Sequence, residues 1–400
     1  MLDTLLNFAA HGLANAGWLT IAIYLLITTQ LTIFAVTLYL HRSQAHRGVD
    51  FHPVVAHVFR FWSWLGTGMV TKEWVAVHRK HHAHCETEED PHSPQVEGIG
   101  KVFFEGAELY RVATANAADM EKYGRGTPDD WMEKHVYSAH PILGVALLAV
   151  IDLALFGAIG GAIWAVQMVW IPFWAAGFVN GIGHWWGYRN FETADTATNL
   201  TPWGVWIGGE ELHNNHHAFP SSAKFALRKF EVDIGWLVIR GLEKLHLARV
   251  LRVAPTLDVR PNVSLPDMLT LKALLTHRFE AMTDYYKNVI KPTVREQSDA
   301  ERTRRFGAMT RRRLRRALAN GGRWLDKSGK SRLAAAVENR PRLQQINEYR
   351  ARLAALMEQR KPESALAALQ QWCHDAEASG NRKLAEFAAR LKRYSVAAHA

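Results

Sequence analysis

From Trp18 to Leu40 the chain carries no charged side chain, and its only polar members are threonines, Gln30 and two tyrosines. At about 1.5 Å per residue such a helix crosses the roughly 30 Å hydrocarbon core of a bilayer. The run ends on His41-Arg42 with Arg47 beyond, whereas its upstream flank holds only Asp3 and His11. The positive-inside bias then puts the N-terminus outside and His41 at the cytoplasmic surface. Met1 to Gly17 lacks a basic leader, so no cleavable signal peptide is expected.

The segment from His52 to Lys72 is aromatic but short and interrupted by Arg60, which predicts a re-entrant or interfacial helix. Pro91, Pro94 and the Gly98/Gly100 pair are expected to end the helix before them. Pro141 to Val179 is apolar apart from Asp152 and divides at Gly157-Ala158-Ile159-Gly160-Gly161, as two spans joined by a tight turn would. Three spans place every histidine cluster on one side. Phe225 to Val253 has apolar residues at helical spacing and predicts an amphipathic cytoplasmic helix.

The remainder differs in kind. Of 15 tryptophans only Trp324 and Trp372 lie beyond Trp236, a bias that suits an aromatic-belted membrane portion in front. The expected fold is all-α: an integral membrane domain over residues 1–265, with about three spans, a re-entrant helix and a cytoplasmic helical cap, then a basic, soluble helical extension over 266–400. The net charge of +10 fits an anionic membrane surface, and no nucleic-acid motif accompanies it. Thr310 to Arg316 is either a solvated helix face or an anchor on anionic lipid. Cys85 and Cys373, the two cysteines, are too far apart for a disulfide framework and too few for an iron-sulfur site.

Chemistry concentrates in the histidines. His78, His81 and His82 share a helix face by their spacing, and His213, His216 and His217 repeat it; His41 and His46 precede both. Thiolate-free imidazole ligation suits iron, zinc or copper. Eight histidines exceed one tetrahedral site, so two metal ions are expected, near water or carboxylates that compensate the charge. Cys85 reads as a small half-buried thiol.

His41-x4-His46, His78-x2-His81-His82 and His213-x2-His216-His217 together resemble the boxes of the membrane fatty-acyl desaturases, delta-9 branch, bacterial type. Glu73-Trp74, Asp90-Pro91-His92, Gly187-Tyr188-Arg189 and His213-Asn214-x-His216-His217-x-Phe219-Pro220 extend the likeness over residues 18 to 240. The resemblance implies a di-iron centre with His184 as ninth ligand and Asn180 approaching one iron through water. It also implies O2 as co-substrate and a saturated acyl chain bent in a dry tunnel, to which Trp62, Trp64, Trp74, Trp170 and Trp174 are candidate contributors. Electrons must come from a separate ferredoxin, rubredoxin or cytochrome b5-type donor with its reductase, since the chain has no dinucleotide fingerprint or iron-sulfur ligand set. Lys72, Arg79, Lys80 and Arg189 are candidate docking cations.

Two departures qualify the likeness. One clear span precedes the first box, where the animal members carry a hairpin. Ala76-Val77 stands where the animal acyl-CoA branch has Arg-Asp, which favours a phospholipid-linked acyl chain slightly over acyl-CoA held by Arg42, Arg47, Lys72 or Arg189. The rival readings are a di-iron hydroxylase of alkanes or lipids and, from another class, a metal transporter with Asp152 in its pathway. The bacterial inner membrane, with active site and C-terminus cytoplasmic, is the expected location.

Overall fold

The computed structural model describes residues 2–359 and 361–397 and is built mostly of helices. Contacts divide it into two units: Met1–Arg189 with Asp195–Ala254, and Asn190–Ala194 with Pro255–Ala400.

Among the described residues of the first unit, two helices are long and apolar enough to cross a bilayer, Trp18–Ala45 and Ala158–His184. Between them Pro141–Phe156 is equally apolar but has 16 residues, short of the usual spanning length of about 20. The hairpin it forms with Ala158–Ile171 turns at Gly157, whose φ of +63° is open to glycine. Leu19, Ile23, Ile27, Ile142, Val150 and Val169 remain exposed on these helices, a surface suited to lipid. Several of their polar groups are paired internally: Thr29 and Thr32 donate to carbonyls four residues back, and Tyr24 donates to Asp152 at 2.6 Å. That bond fixes Asp152 as an interhelical contact.

The first helix does not stop at Leu40. It continues to Ala45 in wider i→i+5 turns, burying both His41 and Arg42. A wide turn pushes side chains out of α-helical phase and recurs at functional sites. Arg42 forms a fork with Asp233 at 2.9 and 3.0 Å and lies 3.7 Å above the Phe225 ring. This contact corrects the long amphipathic helix expected over Phe225 to Val253. Phe225 lies in irregular chain against Arg42, and helix Ile234–Lys244 begins only after Asp233, whose carboxylate caps Trp236 N–H.

Pro53–Thr67 is helical, and its interrupting Arg60 is buried against Asp130 and Glu133. Helix Thr71–His84 follows and ends at Cys85, ahead of the prolines expected to end it. Short ladders tie this unit: Val49–Phe51 runs antiparallel to Ala248–Val250, and Trp203–Gly204 parallel to Val232–Asp233.

The second unit has a core of its own around Trp372, Tyr285, Phe387 and Leu369. Tyr285 O–H donates to Ile346 O and Trp372 Nε1 to Tyr349 O, so the buried polar ends are paired. Leu257–Val259 pairs antiparallel with Tyr394–Val396. In the basic helix Arg311–Asn320, Leu314, Ala317 and Leu318 enter this core while Arg312, Arg313 and Arg316 stay in solvent.

Candidate metal centre

All nine histidines singled out by sequence meet in the first unit. Helix Trp18–Ala45 brings His41 and, one residue beyond, His46; helix Thr71–His84 brings His78, His81 and His82; the short helix His213–Ala218 brings His213, His216 and His217; and His184 ends the second long helix.

They fall into two clusters. Five rings, His41, His46, His78, His82 and His216, place ligand atoms within 4.8 Å of one another. Their Nε2 atoms face inward, His41 to His216 at 3.0 Å, His46 to His78 at 2.8 Å and His82 to His216 at 2.9 Å. The second cluster gathers His81, His184 and His217, and His213 joins it with Nε2 2.9 Å from that of His184. Cys85 is half-buried beside it, Sγ 3.8 Å from His81 Nε2.

Burial disfavours charge on six of these imidazoles, leaving them in the neutral form that ligates metal. Desolvation, then the neighbouring rings, hold His46, His78, His82, His213 and His216 well below the ordinary range. His217 is pushed down to about 4 by burial, with Asp195 opposing. His81 is the exception: burial lowers it, but Asp90 with Glu86 and Asp195 raises it overall.

Four carboxylates orient the rings. Glu210 accepts from His41 Nδ1 at 2.7 Å, Asp90 from His81 Nδ1 at 2.9 Å, Glu86 from His184 Nδ1 at 2.9 Å and Asp195 from His217 Nδ1 at 2.9 Å. A carboxylate can only accept here, so each ring carries its proton on Nδ1 and turns the Nε2 lone pair inward. These acids are themselves braced: Glu210 accepts from Thr37, and Glu86 from Thr196 and Ser93. Burial opposes the charge on Asp90 and Asp195, yet His81 and His217 respectively keep both carboxyls well below their usual range.

The fit to two metal ions rests on the inward-facing Nε2 atoms. Among the described residues His217 Nε2, buried and facing the second cluster, has no hydrogen-bond partner, while Asp195 holds its Nδ1. Inward-facing nitrogens without donors, backed by carboxylates, are a donor set for borderline metals such as iron or zinc.

A cavity of about 270 Å³ opens beside these rings. Its wall is largely apolar, with Ile33, Val36, Val77, Met168, Ile171 and Val179, and its polar end reaches His41, His78, His213 and Asn180. Half-buried Asn180 sits in the wide-turned stretch Pro172–Gly181. Of the five tryptophans expected to line a tunnel only Trp74 does so. Trp62 and Trp64 instead donate to Thr32 and to the His140 carbonyl, and Trp170 and Trp174 pack beside the core around Ile33 and Ile171.

Ala76 and Val77 are buried, Val77 in the cavity wall. The expected docking cations are engaged: Lys72 with Glu121, Lys80 with Asp119, Arg79 with the carbonyls of Gln44, Ala45, Tyr123 and Arg125, and Arg189 with those of Asp195 and Ala197.

Sequence reasoning missed Glu86, Asp195 and Glu210, and used Asp90 and His92 only as flanking motif. His92 also lines the cavity, its ring 4.5 Å from that of His81. The available signal was the Asp90-Pro91-His92 run; the other three acids stand in no recognisable spacing to a histidine.

The family model described as fatty acid desaturase matches residues 16–236. The delta-9 acyl-lipid desaturase 1 of Arabidopsis thaliana is 30% identical over 58% of this chain and 75% of its own length. The sn-1 stearoyl-lipid 9-desaturase of Anabaena variabilis is 28% identical, covering 60% and 87%. An acyl-CoA 5-desaturase of Anemone leveillei is 31% identical, covering 60% and 72%.

Proposed function

This chain belongs to the fatty acid desaturase family and is an oxidoreductase, and from that premise we propose that it inserts a cis double bond at the delta-9 position of a saturated acyl chain, esterified in phospholipid or, as second choice, as acyl-CoA. The observation that carries the proposal is the apolar cavity that ends on His41, His78 and His213. Unactivated methylenes offer no acidic proton, so a general base cannot begin the reaction. A pair of irons, when bound, supplies the O2-derived oxidant for removing two hydrogens, with two electrons from outside the chain completing reduction to water.

In this reading His41, His46, His78, His82 and His216 would hold one iron, and His81, His184, His213 and His217 the other, with Asn180 approaching one iron through water. Glu86, Asp90, Asp195 and Glu210 hold the ring proton on Nδ1, so that Nε2 is the atom offered to the metal, and they aim the rings. The walls from Ile33 to Val179 exclude water and align the methylenes with the centre.

Phospholipid is preferred because the charges that would hold a CoA head are committed elsewhere. Arg42 is buried on Asp233, Lys72 pairs with Glu121, and Val77 belongs to the acyl wall. Arg47 remains mostly exposed near Asp50. The names of the relatives divide between acyl-lipid and acyl-CoA enzymes, so the carrier is decided by offering labelled phospholipid and labelled acyl-CoA separately to reduced enzyme.

The enzyme resides in the membrane, for which we propose the bacterial inner membrane, with its centre and second unit facing the cytoplasm. A ferredoxin, rubredoxin or cytochrome b5-type protein, with its reductase, supplies the electrons. Product mass tests the whole reading: desaturation lowers the mass by two hydrogens, whereas the rival hydroxylase adds an oxygen. Transport is disfavoured because Asp152, the one carboxylate of the hairpin, is tied to Tyr24.

A further inference from the structure

The second unit encloses a cavity of about 180 Å³ that the desaturase chemistry does not use. Three guanidinium groups line it, Arg278, Arg323 and Arg350, together with the carboxylates of Glu192 and Glu358. Glu358 is already paired with Arg323 at 3.2 Å.

Arg350 is held differently. Its Nε donates to the Ala319 carbonyl at 2.8 Å, a neutral partner at the end of helix Arg311–Asn320. The next residue, Gly321, takes φ +66°, and a Cβ there would collide with Arg350 Nη1. The backbone is thus kept bare where the guanidinium lies. Burial and then the nearby Arg323 push Arg350 down to about 10, with Tyr285 and Glu192 opposing only in part.

Against two carboxylates, one of them already on Arg323, three arginines leave the concavity with positive charge in excess, which a bound anion offsets. The planar fork of arginine matches the oxygens of a phosphate, two bonds at a time, better than any other side chain does. Asn320, on the same wall, is 8% exposed, and its side-chain oxygen already accepts from Gly322 N–H. Its amide hydrogens complete a donor-rich lining.

We propose that this cavity is a binding site for a phosphate monoester group, gripped by Arg278, Arg323 and Arg350. The group is either that of a small soluble phosphate or the headgroup of a phosphomonoester lipid. A purely structural role for Arg350, closing the C-terminal end of helix Arg311–Asn320, is the reading to be displaced.

The test is calorimetric titration of the full-length protein in detergent, with inorganic phosphate, with glycerol 3-phosphate and, separately, with short-chain phosphatidic acid against phosphatidylcholine. Saturable binding of the soluble phosphates identifies a soluble ligand; saturation by phosphatidic acid alone identifies the headgroup. In either case Arg350→Lys, which keeps the charge but loses the fork, weakens binding about tenfold or more. Arg278→Gln, at an exposed position that does not endanger folding, weakens it by a similar factor. Binding in no arm overturns the proposal, as does unchanged affinity in Arg278→Gln, which decides the matter if Arg350→Lys fails to fold.

Discussion

The five rings around His216 are held chiefly by packing, whereas three of the four around His217 are held by carboxylates. In the first cluster only His41 is bonded to an acid, Glu210; His78 stacks on Trp74 at 4.9 Å and 12°, and His216 lies 4.9 Å from Phe225. In the second, His81, His184 and His217 each have their own carboxylate. One half is therefore positioned by shape, the other by charge, and a metal ion in the second half meets more compensating negative charge.

The largest expected effect comes from deleting a ligating ring. His81→Ala removes a nitrogen of the second cluster and strands Asp90; desaturation falls more than about a hundredfold, and metal content falls towards half, as read by elemental analysis beside product mass. An unchanged double-bond profile would remove the centre from the chemistry.

Acid is next. His217 has its ordinary value of 6.5 lowered to about 4. A lowered histidine pKa favours the folded, neutral ring; that advantage is complete above 6.5 and is lost as pH falls from 6.5 towards 4. In the folded protein the ring stays neutral down to about 4, so metal is expected to leave desalted protein only as pH falls through about 4. Retention of both ions below pH 4 would contradict the assignment of His217 as a ligand.

Removing one orienting charge is milder. Asp195→Asn is expected to weaken metal at the second position about 10- to 100-fold while the first retains its own. The contrast between the clusters sharpens if Glu210→Gln costs less than Asp195→Asn in competition with a chelator, and it collapses if the two cost the same. Trp74→Leu, which removes a packing contact of the first cluster, should cost about 1 kcal/mol of stability by thermal melting and alter chain-length preference, since Trp74 also lines the cavity. The smallest effect belongs to Tyr110→Phe. This cavity-lining hydroxyl is buried without a partner, so its loss is expected to change KM by less than about threefold with kcat unaltered.

Much of the centre was legible in sequence because ligand spacing on a helix is a local property. His78, His81 and His82 lie on one short helix, as do His213, His216 and His217, so periodicity alone announced both triads. Helix ends were less legible. The first helix ran past Leu40 into wide turns because burial of Arg42 on Asp233, far along the chain, stabilises residues that composition places at a surface. The same contact holds Phe225 outside the helix that its apolar spacing suggested.

Sequence by itself determined eight of the nine histidines, the uncharged run from Trp18 and the family, since each depends on residue type and near-neighbour spacing; His184 was implied by the resemblance alone. Tertiary structure alone decided the division into five rings and four, the carboxylate behind each of four rings and the identity of the cavity wall. The reason is sequence distance: Glu210 lies 169 residues from His41, and Asp195 lies 22 from His217. Acidic residues are common in any chain, and nothing about one marks it as a histidine's partner until the fold brings the two together.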